Sequence, residues 1–125
     1  MLVTIATVLA GLIGAGIIFI GARVFWAPQG AEGFGIPDTP TGDRTFHAWL
    51  TVKGVRDMAS GVVVFVLMAA AGPQVLGWYV LAASGIPFGD ALIVLRSKGP
   101  RAAAYGIHGA TAAVMVAISV VLLLG

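Results

Sequence analysis

The sequence predicts an all-α integral membrane protein: a four-helix up-down-up-down bundle with a long loop between helices 1 and 2 and a proline-kinked third helix. Of its 125 residues, 59% are hydrophobic and 10% are charged, whereas a soluble domain carries about 25% charged residues. Apolar runs of about 20 residues recur along the chain, and a helix of that length spans a bilayer. The length allows one domain, expected over residues 1–125.

Composition also excludes other classes of protein. The chain has no Cys, so it forms no disulfide, thiol redox pair or thiolate metal site. The pI near 9.5 reflects a net charge of only +2, and no basic run is interleaved with aromatic residues as nucleic-acid binding requires. We therefore expect a lipid bilayer, and not nucleic acid, as the partner. Because Met1–Ile20 contains no Lys or Arg, it predicts a retained spanning helix and not a cleaved signal peptide.

Helix 1 is predicted over about residues 2–22, and a loop over residues 24–45 follows it. Small residues recur every four positions on the helix, and such a face lets helix backbones approach closely in lipid. They are Ala6, Ala10 and Gly14, with Gly11 and Ala15 repeating the spacing. The loop is rich in Pro and Gly, and loops longer than about 12–15 residues are often lids. We expect a re-entrant or interfacial lid, with a plain linker as the alternative.

Three further spans are predicted at about residues 46–70, 74–95 and 102–124. Pro73 suits the first turn of helix 3, where a missing N–H removes no helical hydrogen bond. Pro87 lies inside the same helix and is expected to kink it. Trp78 and Tyr79 are predicted to form an aromatic belt at a membrane interface.

Basic residues are confined to one end of the predicted bundle. The Lys and Arg residues are Arg23, Arg44, Lys53, Arg56, Arg96, Lys98 and Arg101. Because Lys and Arg concentrate on the cytoplasmic side of a membrane, loops 24–45 and 96–101 are predicted to be cytoplasmic and both termini to lie outside.

Ionisable side chains on three predicted helices fall into one layer near the basic end. With a rise of 1.5 Å per residue, Asp57 would lie about 18 Å from that end, Asp90 about 9 Å and His108 about 10 Å. A charge at the centre of a membrane helix costs about 2.5–3.5 kcal/mol on insertion scales, so it usually faces a bundle interior or a wet cavity. Lys53 can pair with Asp57 four residues later. Arg56 is expected to turn towards Asp90.

These residue types are the ones that general acid–base catalysis uses. The predicted catalytic residues are Asp57, Asp90, His108 and Arg56. The predicted substrate-binding residues are Arg23, Lys53, Arg96, His47, Trp49 and Tyr105. No metal-ligand spacing, phosphate-binding loop or nucleophile motif is present, so we expect neither a metal site nor a cofactor.

The same residues also have a structural interpretation. Lys53 and Arg56 can reach the interface by snorkelling. A network of Asp57, Arg56 and Asp90 would hold helices 2 and 3 together. His108 favours a ligand pocket more strongly, because the glycines at positions 106 and 109 leave room around its imidazole.

Several blocks of sequence stand out: ARVF (22–25), AP (27–28), GFG (33–35), VKGVRD (52–57), GDALIVLR (89–96) and HGATA (108–112). Together they resemble the DUF4267 family of small four-helix membrane proteins. The family is a domain of unknown function found in actinobacteria and fungi. We expect this protein to lie in a bacterial plasma membrane. The resemblance implies that the charged residues of these blocks act together, and it implies no reaction.

Three functions remain open. The first is a cofactor-independent isomerase, cyclase or epoxide-opening enzyme acting on a lipophilic small molecule, because the polar layer lies under a long loop. The second is a small-molecule or proton-coupled transporter, which a homodimer would favour. The third is an accessory membrane subunit that uses the small-residue face of helix 1 to bind a partner.

Overall fold

The computed structural model describes residues 1–125 and contains helices but no β-strand, which confirms the all-α prediction. The helices are α1 (Leu2–Arg23), α2 (Arg44–Ala70), α3 (Pro73–Ala83), α4 (Gly85–Arg96), α5 (Arg101–Ala103) and α6 (Ala110–Leu124). A 3₁₀ helix over Pro28–Phe34 precedes α2, and a π-helical turn over Ala104–Gly109 joins α5 to α6.

Local side-chain chemistry accounts for the helix ends. The Asp43 carboxylate accepts a 2.8 Å hydrogen bond from the backbone N–H of Phe46, so Asp43 caps α2. This cap starts α2 at Arg44, two residues before the predicted start of the span. Pro73 occupies the first position of α3, as its missing N–H predicted.

The third predicted span is interrupted at Ser84, between α3 and α4. Pro87 has no N–H, so it cannot bond the carbonyl of Ala83 four residues earlier. The N–H of Ser84 reaches two carbonyls, that of Val80 at 2.9 Å and that of Leu81 at 3.2 Å. The helix is therefore disturbed at Ser84, about one turn before Pro87. This is the part of the third span in which the kink was predicted.

Helices α1 and α2 pack with their backbones in contact. A Cβ added to Gly21 would lie 2.5 Å from the carbonyl oxygen of Gly54, and one added to Gly61 would lie 2.5 Å from that of Gly14. The earlier α1 residue, Gly14, contacts the later α2 residue, Gly61, and Gly21 contacts Gly54. The two helices are therefore antiparallel. Only glycine permits this approach. The small-residue face of α1 is therefore used inside the chain.

The second half of the chain forms another antiparallel pair. Near one end, Val94 of α4 is buried against Ala103 and Ala104. Near the other end, a Cβ on Gly77 of α3 would lie 3.0 Å from the Cβ of Leu122 on α6. The interrupted helix α3–α4 therefore runs alongside the α5–α6 segment.

An apolar core joins the two pairs near the chain termini. Its buried residues are Ala6, Ala10, Val64, Leu76, Val80, Met115, Ile118 and Leu122. Towards the other end, neither α4 nor the π turn forms an extended interface with α1 or α2. The pairs therefore diverge there, and we call the space between α2 on one side and α4 with the π turn on the other "the cleft".

Three helical segments are long and apolar enough to cross a membrane: Leu2–Arg23, Pro73–Arg96 and Arg101–Leu124. The predicted span over residues 46–70 is not among them, because the first half of α2 carries several charges. Many large hydrophobic side chains point outward, including Leu12 and Phe88 at 63% and 60% exposure. An exterior with so much apolar surface is compatible with a location in lipid.

Candidate functional site

Helix α2 supplies an ion pair to one wall of the cleft. The Lys53 Nζ donates to Asp57 Oδ2 at 2.6 Å, which confirms the predicted pairing. The Asp57 side chain is only 14% exposed, whereas that of Lys53 is 45% exposed. The lysine therefore neutralises a mostly buried carboxylate while its own stem stays accessible.

Asp57 lies beside the last turn of α1. Its Cβ would be 3.0 Å from a Cβ added to Gly21, two residues before α1 ends at Arg23. Along α2 it lies 13 residues from the first residue, Arg44, which agrees with the expected depth of about 18 Å. The Gly21–Gly54 contact sets this register, which leaves the first two turns of α2 projecting beyond α1.

Arg56 does not take part in the predicted network. Its side chain is exposed, and Nη1 donates only to the carbonyl of Val52 at 3.4 Å. It forms no ion pair with Asp57 or Asp90, so the expectation that it joins them was wrong. Arg56 follows Gly54 by two positions, and since Gly54 faces α1, the helical period turns Arg56 away from α1.

Asp90 and His108 lie at a similar level on the opposite wall. Val94 of α4 packs against Ala104 at the start of the π turn. Asp90 lies about one turn before Val94, and His108 lies about one turn after Ala104. Because the two segments are antiparallel, these offsets bring Asp90 and His108 to a similar level. The half-buried Asp90 carboxyl accepts no hydrogen bond from the protein. Val94 also packs in one cluster with Phe34, and the ring of Phe34 lies near both Lys53 and His108. The structure thus brings together four of the predicted residues.

His108 sits in the π turn and is only 8% exposed. Single π turns within α-helices are frequent at functional sites. Its Nε2–H donates to the backbone carbonyl of Phe34 at 2.8 Å. Since Nε2 carries the proton in this bond, Nδ1 of the neutral ring is a proton acceptor. Nδ1 forms no hydrogen bond in the protein. Because every buried side-chain nitrogen or oxygen has a hydrogen-bond partner, Nδ1 is not buried but accessible.

Phe34 connects the two walls of the cleft. Its ring centroid lies 4.3 Å from that of His108, with the planes inclined at 46°. The Lys53 Nζ lies 5.5 Å from the same centroid, within range of a cation–π interaction. We call the segment Pro28–Gly35, which carries this residue, "the strap".

Backbone contacts seat the strap on the rest of the chain. Gly35 has a φ of 108°, a left-handed conformation that favours glycine. Its carbonyl oxygen lies directly against Gly99, where a Cβ would collide with it. At the other end, the Arg23 guanidinium packs 3.3 Å from the position of a Cβ on Gly30. The Pro28–Gly35 part of the loop expected over residues 24–45 therefore folds back onto both helix pairs.

The other predicted binding residues lie outside the cleft. Trp49 is 70% exposed on the projecting turns of α2, and Tyr105 is 62% exposed on the π turn. Arg96 is exposed at the end of α4, and His47 is half-buried near the start of α2. None of them forms a hydrogen bond or ion pair with the charged residues of the cleft.

Two residues that join distant elements were missed or misplaced by sequence reasoning. Tyr79 was expected in an interfacial belt, but its hydroxyl donates to the Ser60 carbonyl at 2.7 Å and ties α3 to α2. Trp78, 63% exposed, remains on the exterior. In the sequence, Phe34 is an apolar residue of a long loop and lies in the GFG block (33–35), and neither feature predicts its contacts with Lys53 and His108. Neither contact has a signal in sequence spacing, because each partner is a backbone carbonyl or a ring on a distant element.

A surface depression of about 660 Å³ lies at the outer side of the strap, away from the charged residues of the cleft. It is lined by Glu32, Gly35, Ile36, Pro37, Asp38, Thr39, Lys98, Gly99 and Pro100. None of the predicted catalytic residues lines it.

Comparison with known proteins gives one match. The family model of DUF4267, a domain of unknown function, matches residues 14–122. No curated protein and no solved structure matches the chain.

Proposed function

Because the chain belongs to the DUF4267 family, whose function is unknown, we propose from the cleft itself that the protein is an integral membrane enzyme. It would transfer protons on a lipophilic small molecule without a cofactor. One observation carries the proposal: Asp90, His108 and the Lys53–Asp57 pair lie on the two walls of the cleft that Phe34 connects.

The membrane-embedded four-helix bundle is part of this proposal. Three apolar segments of sufficient length support it. The fourth helix, α2, runs antiparallel to α1 through the Gly14–Gly61 and Gly21–Gly54 contacts, so it would cross the bilayer beside α1. Its charged first turns would project beyond the hydrocarbon. With the basic residues at this end, the cleft would face the cytoplasm and both termini would lie outside.

The cleft residues suggest separate roles in proton transfer. Asp90 has no hydrogen-bond partner, so it is free to accept a proton from a substrate. His108 offers a proton on Nε2 and an acceptor on Nδ1. The Lys53 ammonium lies where it can stabilise negative charge that develops on the substrate. It supplies the positive charge beside the carboxylates that the sequence analysis expected from Arg56.

Two features favour an enzyme over the alternatives. The half of the molecule near the termini is closed by an apolar core that runs from Ala6 to Leu122, so one copy offers no polar path for a transported molecule. The small-residue face of α1, needed for an accessory role, is buried against α2 and α6 at Ala6, Ala10 and Gly14.

The proposal is tested by mass spectrometry of small molecules that co-purify with the protein. Asp90→Asn removes the proposed base, and Asp38→Asn makes the same change at an exposed loop position. We expect a defined lipophilic species with the wild type and Asp38→Asn, and its loss or chemical alteration with a folded Asp90→Asn. The same species in equal amount with Asp90→Asn would contradict the proposal. Loss of folding in Asp90→Asn would instead assign Asp90 to stability.

A further inference from the structure

Phe34 presents two chemical groups to the cleft. Its ring lies against the His108 imidazole at a 4.3 Å centroid distance and under the Lys53 ammonium at 5.5 Å. Its carbonyl oxygen accepts the Nε2–H of His108 at 2.8 Å. The cleft therefore holds a planar π system and a hydrogen-bond acceptor next to each other.

The strap that carries Phe34 is weakly attached. Its helix is of the 3₁₀ type, which has poorer hydrogen-bond geometry than an α-helix, and none of residues 28–34 is fully buried, whereas Gly35 is. Its one apolar anchor is Phe34, which packs partly buried against Val94, Ala103 and Ala104. Side-chain bonds to it are few: His108 to the Phe34 carbonyl, and Thr41 Oγ1 to Glu32 Oε1 at 3.3 Å. Segments with few buried apolar contacts open at a small free-energy cost. The strap can therefore leave the cleft while the helices stay packed.

We propose that Phe34 occupies the ligand site, and that the ligand replacing it is a lipophilic compound with a planar π-electron ring bearing a carbonyl oxygen. The inference rests on the proposed function and names its substrate class. Such a ring would take the place between Lys53 and His108, and its carbonyl would accept the Nε2–H that now goes to Phe34.

The chemistry of this ligand class agrees with the groups around it. A hydrogen bond from His108 polarises the carbonyl, which makes protons on neighbouring carbon atoms easier to remove. Asp90, unpartnered and level with His108, is a candidate to accept such a proton. A Cβ added to the neighbouring Gly89 would meet no atom within 4 Å, so no other element packs against α4 at that position.

Probe binding at His108 tests the proposal directly. The protein is labelled with ¹⁵N-histidine in detergent micelles, and the His108 resonance is assigned by its loss in His108→Gln, since the chain has two His. Three probes separate the two features: 1-acetonaphthone has ring and carbonyl, 1-ethylnaphthalene has the ring, and cyclohexyl methyl ketone has the carbonyl. Phe34→Ala vacates the ring position, and Phe88→Ala makes the same change on the exterior of α4.

We expect Phe34→Ala to bind 1-acetonaphthone about tenfold more tightly than the wild type, because the probe no longer displaces a cation–π and stacking partner. Phe88→Ala should match the wild type. 1-ethylnaphthalene and cyclohexyl methyl ketone, which each lack one feature, should bind to Phe34→Ala about fivefold more weakly than 1-acetonaphthone does. Equal affinity of Phe34→Ala and wild type would overturn the proposal, and equal affinity for the three probes would overturn the ligand class.

A second variant covers the case in which Phe34→Ala does not fold. Phe34→Leu keeps an apolar side chain and the backbone carbonyl but has no π ring, so it should also bind 1-acetonaphthone more tightly than the wild type. No gain in this variant would overturn the proposal. If neither variant gains affinity while Asp90→Asn still alters a co-purified species, the ligand class is wrong and the proposed enzyme stands. If both experiments fail, the proposed function fails too.

Discussion

Nε2 of His108 donates a 2.8 Å hydrogen bond to the backbone carbonyl of Phe34, a residue 74 positions earlier in the chain. The two rings also lie 4.3 Å apart. This contact joins the only long connection of the chain to the helix pair formed by its second half. It closes the cleft over Asp90 and the Lys53–Asp57 pair, so His108 is at once a structural anchor and a proposed proton donor.

Two substitutions at His108 separate these roles. The amide N–H of His108→Gln can still donate to the Phe34 carbonyl, but it cannot transfer a proton at neutral pH. We expect amide hydrogen exchange at Phe34 and Gly35 to stay near wild type in His108→Gln and to be about three- to tenfold faster in His108→Leu. Both variants should lose the co-purified product. Equal exchange rates in the two variants would contradict the anchoring role.

Gly35→Ala is expected to release the strap. A Cβ there would lie 2.9 Å from that of Ala103, and its φ of 108° is strained for alanine. Limited proteolysis should cut residues 28–35 faster, while thermal unfolding of the helices changes little. Gly33→Ala is the control, because no atom lies within 4 Å of its Cβ position. Faster cleavage in the control as well would show that any substitution in the strap loosens it.

Lys53→Met should destabilise the protein by about 1–3 kcal/mol, because it leaves a mostly buried carboxylate without its partner. The double variant Lys53→Met, Asp57→Asn should recover much of this loss, since the charge is then absent. The free energy of unfolding in mixed micelles is the measurement. Arg56→Met, which loses only an exposed 3.4 Å contact, should change it by about 0.5 kcal/mol or less. Similar losses in Lys53→Met and Arg56→Met would contradict the pairing.

Gly54→Ala should force α1 and α2 apart. Its Cβ would lie 2.5 Å from Val24 Cγ2 and 2.6 Å from the backbone oxygen of Gly21, which cannot rotate away. We expect a loss of about 1–3 kcal/mol in the free energy of unfolding. Gly16→Ala, on the exposed side of α1 with no atom within 4 Å of its Cβ position, should keep or slightly raise stability. A loss at Gly16 equal to that at Gly54 would argue against the backbone contact.

Much of the site layout follows from local sequence. The Lys53–Asp57 pair was predictable because residues four apart share a helix face, and both ends of the pair lie on α2. The disturbance near Pro87 was predictable for a similar reason, since the missing N–H affects only the turn before it. Predicting that Asp90 lies near His108 required one further inference. The turn between their helices is short, so the two helices are antiparallel neighbours.

Other parts of the site depended on contacts between distant segments. Arg56 was expected to turn towards Asp90, yet the Gly21–Gly54 contact fixes which side of α2 faces α1, and Arg56 is exposed on the side away from α1. The same contact sets the register that brings Asp57 close to the end of α1. The π turn at His108 also had no sequence prediction, although Gly106 and Gly109 lie beside it in the sequence.

The sequence by itself determined the helices, their ends and the ion pair on α2, because hydrophobic runs, caps and i,i+4 neighbours act within a few residues. The tertiary structure alone decided which side chains share the cleft. Helix register and the path of the strap depend on where glycine lets two backbones touch, and a sequence without its partners in space does not specify that contact. Phe34 between Lys53 and His108 is the clearest case.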